Sequence, residues 1–492
     1  MEPKIISRLS RKERRKKEKK NRPNKRQTLL PILAVSITTI SICLLGYYYL
    51  QSVNQKREIQ KAAAAEKEIE QELLTTIDKQ QKKLGNKEVE NSDVNDHLQE
   101  LIYLPTTAQR QTLTEDLETL LTETSHQIEK GTPAKLVGYI KKEDLFGKIA
   151  SYSSVIEVYK KKQDRWEADS SAQGKSHYMN KETADFPSMA DIFQNQDNLT
   201  AIQPFIKQQL LDDSKDQAAV IDQILNFPQV TMEQKILSYS PDKVVLSLPK
   251  NQLNIDQISV PFSNVLDFTD QGFIDPTIIT EHTPPPLDPN KKYISLTFDD
   301  GPNPITTPRL LDILMEKNVK ATFFMLGQNV VNNPDLVRRV AAEGHVIGSH
   351  SYSHPNLTGL DPESVKSQVQ ETDKAIAAAT GKIPTDFRPP YGAVNKDAAE
   401  IIGRPIIQWS VDSEDWKTKN TEKIIKRVMK TSYNNSIILM HDIYPETINA
   451  VSQIIDALRN EGYDIILADD LITEKQAPLH MYYGNKSEQV IQ

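Results

Sequence analysis

One cysteine in 492 residues, Cys43, excludes any intramolecular disulfide, so packing and hydrogen bonding must hold this chain together. The hydrophobic fraction is also low, 38%, which suits an extended, charged portion better than one compact globule. The length allows two or three domains.

Charge is missing from one stretch altogether. Residues 28–50, TLLPILAVSITTISICLLGYYYL, contain no Asp, Glu, Lys or Arg. At about 1.5 Å per residue a helix of this length spans roughly 35 Å, enough for a hydrocarbon core of ~30 Å. The stretch outruns the roughly 7–15-residue apolar core of a cleaved leader, and Tyr47, Tyr48 and Tyr49 stand where a small-residue cleavage site would be needed. Residues 1–27 carry 13 Lys+Arg against 3 Asp+Glu, a net +10, so with −7 overall the remainder carries −17. The expectation is a basic cytoplasmic tail over 1–27, one transmembrane helix over 28–50 and everything beyond it outside the cell. A basic tail on an acidic body argues against nucleic acid as a partner. A large outer region without cysteine fits a bacterial wall protein.

Residues 51–100 are poor in aromatics and rich in Lys, Glu, Gln and Ala. They read as a helical stalk that gives way to a polar linker near GNKEVENSDVND, with a disordered spacer as the alternative. Helix-like and strand-like signals alternate over 101–280, an α+β middle domain: TAQRQTLTEDLETLLTETSHQIEK and DNLTAIQPFIKQQLL as helices, KVVLSLP and IDQISVPFSNVLDF as strands. It has no catalytic constellation, and His126 and His177 stand isolated. The proline-rich HTPPPLDPN marks a boundary, with a linker over 281–290. From 291 to 475 strand-like runs (YISLTF, KATFFML, HVIGS, TDFRP, PIIQWS, SIILMH, YDIILA) alternate with helical segments at 306–317, 334–343, 362–380, 420–430 and 446–460. That pattern predicts an α/β domain, a parallel sheet curled into an incomplete or distorted β/α barrel. Residues 476–492 remain as a C-terminal tail.

Chemistry-bearing residues collect at the C-terminal ends of these strands, where such folds place their sites. TFDDGP ends the first strand with Asp299 and Asp300. SHSYSHP ends the third with His350 and His354, four apart. Two imidazoles and one carboxylate make a three-ligand site with an open position, the catalytic kind, whose chemistry is a water acidified towards neutrality. One carboxylate suffices for the metal, and the other can act as general base. FRPPYG brings Arg388 to a strand end, SVDSEDW supplies Asp415 and Trp416, and LMHD ends the sixth strand with His441. A third strand-end histidine is a general-acid candidate, and a nearby carboxylate would favour the imidazolium it needs.

TFDDGP, HSYSH, RPPYG, DSEDW and LMHD, in this order, resemble the five motifs of the NodB-homology polysaccharide deacetylases, carbohydrate esterase family 4. The resemblance covers about 291–470. The arrangement of anchor, stalk, middle domain and catalytic domain is similar to that of streptococcal-type peptidoglycan N-acetylglucosamine deacetylases. It implies Asp299 as general base and Asp300, His350 and His354 as metal ligands, usually for Zn²⁺, with Co²⁺ or another divalent ion able to replace it. It further implies that Arg388 holds Asp299 and that the Tyr391 backbone N–H stabilises an oxyanion. His441 would protonate the leaving amine with Asp415 tuning it, and Trp416 and Leu439 would line an acetyl-methyl pocket. The implied partner is the glycan strand of peptidoglycan, and deacetylation there would give lysozyme resistance. Other acetylated sugars (chitin-type oligomers, N-acetylmuramic acid, an exopolysaccharide, acetylxylan) and a non-catalytic wall-binding scaffold are the alternatives.

Overall fold

The computed structural model describes residues 30–105, 110–163 and 165–491, with side chains from 41 onward in the first segment and from 112 onward in the second. Its first element is a 54-residue helix, Leu30–Lys83. Ala, Glu, Lys, Gln and Leu fill its later turns, all strong helix formers. Among the described residues no helix is long and apolar enough to cross a membrane. Of the stretch expected to do so, 28 and 29 and the side chains of 30–40 lie outside the described residues.

Five strands follow, β1 (Asn86–Asn95), β2 (Leu98–Pro105), β3 (Ala134–Phe146), β4 (Ile149–Lys162) and β5 (Arg165–Asn180), in that order across one sheet. β2 and β3 run parallel, with the helix Arg110–His126 as the crossover such a pair requires, and the other neighbours are antiparallel. Leu113, Leu117 and Leu121 recur every fourth residue on that helix and bury against Leu136, Ile140 and Ile156. The other face of the sheet packs on the end of the first helix, where Ile77 meets Leu101, Tyr103 and Val137. The expected linker GNKEVENSDVND is therefore mostly β1, and the expected boundary at 101 falls inside β2. β1 is an edge strand with a largely exposed polar surface, held by backbone pairing to β2, so its side chains carry no strand signal.

The middle region has a second core of its own. Helices Met189–Phe193, Gln196–Ala201, Gln203–Asp212 and Gln217–Leu225 pack over an antiparallel sheet of β6 (Ile236–Ser240), β7 (Lys243–Ser247) and β8 (Gln257–Pro261). Ala377 and Ile383 of the C-terminal part join this core, so the two regions pack against each other.

β9 (Lys292–Asp299) opens the C-terminal sheet. Its pleat sends Ile294, Leu296 and Phe298 into the main apolar cluster, where the helices Thr307–Glu316, Pro362–Thr380 and Pro445–Asn460 cover them. Tyr293, Ser295, Thr297 and Asp299 face the other way, into the curl of the sheet. The remaining strands are β10 (Thr322–Met325), β11 (Val346–Ser349), β12 (Ile406–Ile407), β13 (Val411–Asp412), β14 (Ser436–His441), β15 (Tyr463–Ile465), β16 (His480–Gly484) and β17 (Ser487–Val490). β11, β10, β9, β14 and β13 lie side by side and parallel, with β15 at the start of β9. Phe387 bridges β11 to β12 by single pairs, and β16 spans from β12 to the start of β14. The result is a curled, distorted barrel in which TDFRP is a bridge rather than a strand. The expected tail, 476–492, is structured over its described residues, 476–491: β16 and β17 form a hairpin that completes the sheet, with the Gln408 N–H donating to the Tyr482 carbonyl at 2.8 Å. Met481 and Tyr482 are buried there, which is what fixes the hairpin to the barrel.

Candidate metal and catalytic site

Asp299 is the last residue of β9, extended and facing inward; Asp300 follows in the left-handed region at φ 74°. That change of direction lets two consecutive carboxylates converge on one point. His350 Nε2 lies 3.7 Å from an oxygen of each. His354 Nε2 lies 3.5 Å from Asp300 Oδ1, and His354 also has positive φ, 62°. Asp300, His350 and His354 offer ligand atoms that all lie within 4.8 Å of one another. Among the described residues this is the one group of three or more such side chains so placed.

The donor set fits a cation. His350 Nδ1 is 2.6 Å from the Arg388 carbonyl, so that nitrogen carries the proton and Nε2 is left with a lone pair facing Asp300. Burial lowers the His350 pKa, against the pull of Asp299 and Asp300, and this favours the neutral, ligating form. Asp300 Oδ1 is buried with no hydrogen-bond partner, an orphan that a cation would satisfy.

Arg388 is fully buried and uses its whole fork. Nη1 donates to Asp299 Oδ1 and Thr297 Oγ1, both at 2.7 Å, Nη2 to the Gln408 carbonyl at 2.9 Å, and Nε to the Ile407 carbonyl at 2.8 Å. Its guanidinium stacks 4.1 Å from the centre of the Phe324 ring. One oxygen of Asp299 is thereby tied to a charged donor, and the other faces the histidines.

A second buried pair stands across the cluster. His441, at the end of β14, places Nε2 4.0 Å from Asp300 Oδ2 and Nδ1 2.8 Å from Asp415 Oδ1. Asp415 has no exposed surface and accepts from the His441 backbone N–H at 2.7 Å, Thr447 Oγ1 at 2.8 Å and the Trp416 backbone N–H at 2.8 Å. Burial alone would raise Asp415, but the bonds from His441 and Thr447 outweigh it and hold the carboxyl below its ordinary value. His441 answers in kind. Burial works against its charge, yet Asp415, then Asp299 and Asp300, push its pKa up to about 9. A cation on Asp300 would cancel part of the last contribution and leave the direct bond to Asp415.

The remaining expected residues border this network. Tyr391 takes φ 62° in the turn Pro390–Gly392, mostly exposed, with its ring edge-on to His354 at 4.6 Å. Leu439 is buried on the inward face of β14, two residues before His441. Trp416 is half-exposed beside Asp415, and its indole N–H lies 3.5 Å from Asp412. His177 pairs with Asp116 near the surface, far from this chemistry in the fold. Sequence reasoning passed over four contributors: Thr297, Thr447, Gly301 and Asp442. A Cβ on Gly301 would collide with the Asp442 carboxylate, which also accepts from Thr307 Oγ1 at 2.6 Å. Thr297 had a signal, since it shares inward parity with Asp299. Asp442 had one too, as the neighbour of His441. Thr447 had none.

Residues 287–404 match the family described as polysaccharide deacetylase, and residues 71–280 match the peptidoglycan GlcNAc deacetylase N-terminal domain. A chitooligosaccharide deacetylase of Rhizobium leguminosarum bv. trifolii is 38% identical over 194 residues, 35% of this chain and 89% of that protein. The chain belongs to the polysaccharide deacetylase family. Two further relatives in this family are the peptidoglycan-N-acetylglucosamine deacetylase PgdA of Listeria monocytogenes and the peptidoglycan-N-acetylmuramic acid deacetylase PdaC of Bacillus subtilis. PgdA is 46% identical over 200 residues, 41% of this chain and 43% of that protein. PdaC is 41% identical over 185 residues, 38% of this chain and 40% of that protein. The matches thus span less than half the length of these two polysaccharide deacetylases.

Proposed function

We propose that this chain is a metal-dependent hydrolase that removes N-acetyl groups from the N-acetylglucosamine units of peptidoglycan, with release of acetate. The observation that carries this reading is the Asp300–His350–His354 cluster set between two buried pairs, Asp299–Arg388 and His441–Asp415. Asp300, His350 and His354 would hold the cation; Zn²⁺ suits two imidazoles and a carboxylate, and Co²⁺ or another divalent ion fits the same donors. When bound, the cation supplies an acidified water and polarises the amide carbonyl. Asp299, fixed by Arg388, accepts the proton of the attacking water. The Tyr391 backbone N–H donates to the oxygen on which negative charge develops. His441, kept protonated by Asp415, delivers a proton to the departing nitrogen as the C–N bond breaks. Trp416 and Leu439 receive the acetyl methyl group.

The substrate rests on two supports. The region before the barrel matches a domain named for peptidoglycan GlcNAc deacetylases, and the Listeria relative carries that activity in its name. A second reading keeps the chemistry and changes the sugar, because other relatives are named for N-acetylmuramic acid and for chitooligosaccharides. Acetate release from purified peptidoglycan, with and without chelator, tests the first reading. His350→Ala should abolish release, and a chain that deacetylates only chitooligomers would move the assignment to the second.

We further propose that residues 28–50 anchor the chain in the cell membrane, with 1–27 inside and the barrel facing the wall. Support comes from the uncharged run flanked by the basic tail, and from the long helix that begins within it. The amine left on each deacetylated sugar is cationic near neutral pH and would impede lysozyme-type hydrolases that read the N-acetyl group. Release of the protein from membranes by high salt alone would refute the anchor.

A further inference from the structure

The middle region and the barrel meet around a cavity of about 350 Å³ that contains none of the catalytic residues. That volume lies within the roughly 300–1,000 Å³ of small-molecule sites. Lys207 enters it from the helix Gln203–Asp212, and Lys366, Asp373 and Arg404 from the barrel side. Phe227 forms part of an apolar wall, and exposed Glu400 sits at the rim.

The charges inside do not balance. Asp373 is consumed by Arg404, which holds both its oxygens from Nη2 at 2.8 Å in a buried pair. Arg404 Nη1 donates to the Pro384 carbonyl at 2.5 Å, but its Nε is buried without a partner. Lys207 spends one donor on the Leu225 carbonyl, at 2.8 Å, and an ammonium has three. Neither Lys207 nor Lys366 has an ion-pair partner among the described residues. Burial drives Lys207 down to about 8; Asp373 opposes this, while Arg404 and Lys366 add repulsion. A largely buried Lys207 ammonium with donors to spare and no counter-charge is costly unless an anion completes it, and the partly exposed Lys366 adds a second positive charge on the same cavity.

We infer that this seam is a second binding site, for a sugar-sized ligand bearing a carboxylate, with Lys207 and Lys366 on the carboxylate and Arg404 in its wall. The assignment gives the middle region a part in ligand capture, since it supplies Lys207 and one wall of the site. It is independent of the hydrolase reading, because no residue of the metal cluster takes part.

The test is calorimetric titration of the full chain in detergent, with chelator present so that no cation at Asp300 attracts the probe. N-acetylmuramic acid, which carries a carboxylate, is expected to bind about tenfold more tightly than N-acetylglucosamine, which does not. Lys366→Gln, at a partly exposed position, should weaken N-acetylmuramic acid by several-fold, and the Lys207→Met/Lys366→Gln pair should remove the preference. His350→Ala should leave it intact. Equal affinity for the two sugars, no binding of N-acetylmuramic acid, or loss of the preference in His350→Ala would overturn the proposal. The comparison of sugars uses the unmodified chain, so it stands even if the double variant does not fold.

Discussion

Replacing Asp415 with Asn should move the alkaline limb of the pH–rate profile. In the native chain the His441 pKa rises from 6.5 to about 9 although burial opposes it, so Asp415, with smaller help from Asp299 and Asp300, must supply more than the visible rise. With a neutral amide in its place the burial remains, a bound cation offsets much of the pull of Asp299 and Asp300, and the imidazolium would lose its proton near its ordinary pKa of about 6.5. At pH 7.5 only about one His441 in ten would then be protonated, which alone costs roughly tenfold in rate. The limb itself should shift down by about two pH units or more. An Asn that turns its NH₂ towards Nδ1 would also reverse the tautomer, adding to the loss. The assay is acetate release between pH 5 and 10 at saturating cation. A variant whose alkaline limb stays near pH 9 would refute the assignment of His441 as the acid charged by Asp415. Stability carries the same signature. The folded pKa lies above the unfolded one, so this contribution, about 3 kcal/mol at most, is complete below pH 6.5 and fades as pH climbs through about 9. Asp415→Asn should flatten that slope in denaturant titrations.

Other outcomes follow from the same geometry. Asp300→Asn should bind divalent cation far more weakly than the native chain, measured by competition with a chromogenic chelator, with little change in circular dichroism. Arg388→Met leaves Asp299 and three other buried acceptors without their donor, and should lower unfolding free energy by about 3–5 kcal/mol in urea. Gly301→Ala should cut acetate release by at least tenfold, because the new methyl displaces Asp442 or the loop that carries Asp300. Asp442 is buried, and desolvation raises its pKa to about 7, so its ionisation opposes folding increasingly from pH 4 to pH 7. Asp442→Asn should therefore gain stability relative to the native chain at pH 8 and little at pH 4.

The strands of the barrel were legible because short apolar runs alternate with amphipathic helical segments, and three of the four clearest runs end in site residues. YISLTF, KATFFML, HVIGS and SIILMH became β9, β10, β11 and β14, and the helices between them appeared close to their expected places. What stayed hidden was structure that side chains do not encode. β1, NKEVENSDVN, is held by its backbone against β2, so nothing in its pattern marks a strand. Two of the four acceptors on Arg388 are main-chain carbonyls, Ile407 and Gln408, and any residue could supply them. The pairing of His441 with Asp415 depends on a contact across 26 positions that spacing alone does not fix. The seam cavity is hidden for the same reason, because Lys207 and Arg404 are far apart in sequence and meet only after folding.

The closing hairpin also sets a clock. β16 grips the segment whose carbonyls anchor the guanidinium, yet it and its hairpin partner β17 come after every other strand of the barrel. Whatever folds earlier, the main-chain acceptors of Arg388 are not backed by the sheet until residues 480–484 dock. On the function proposed above, hydrolytic competence would arrive only with this last hairpin.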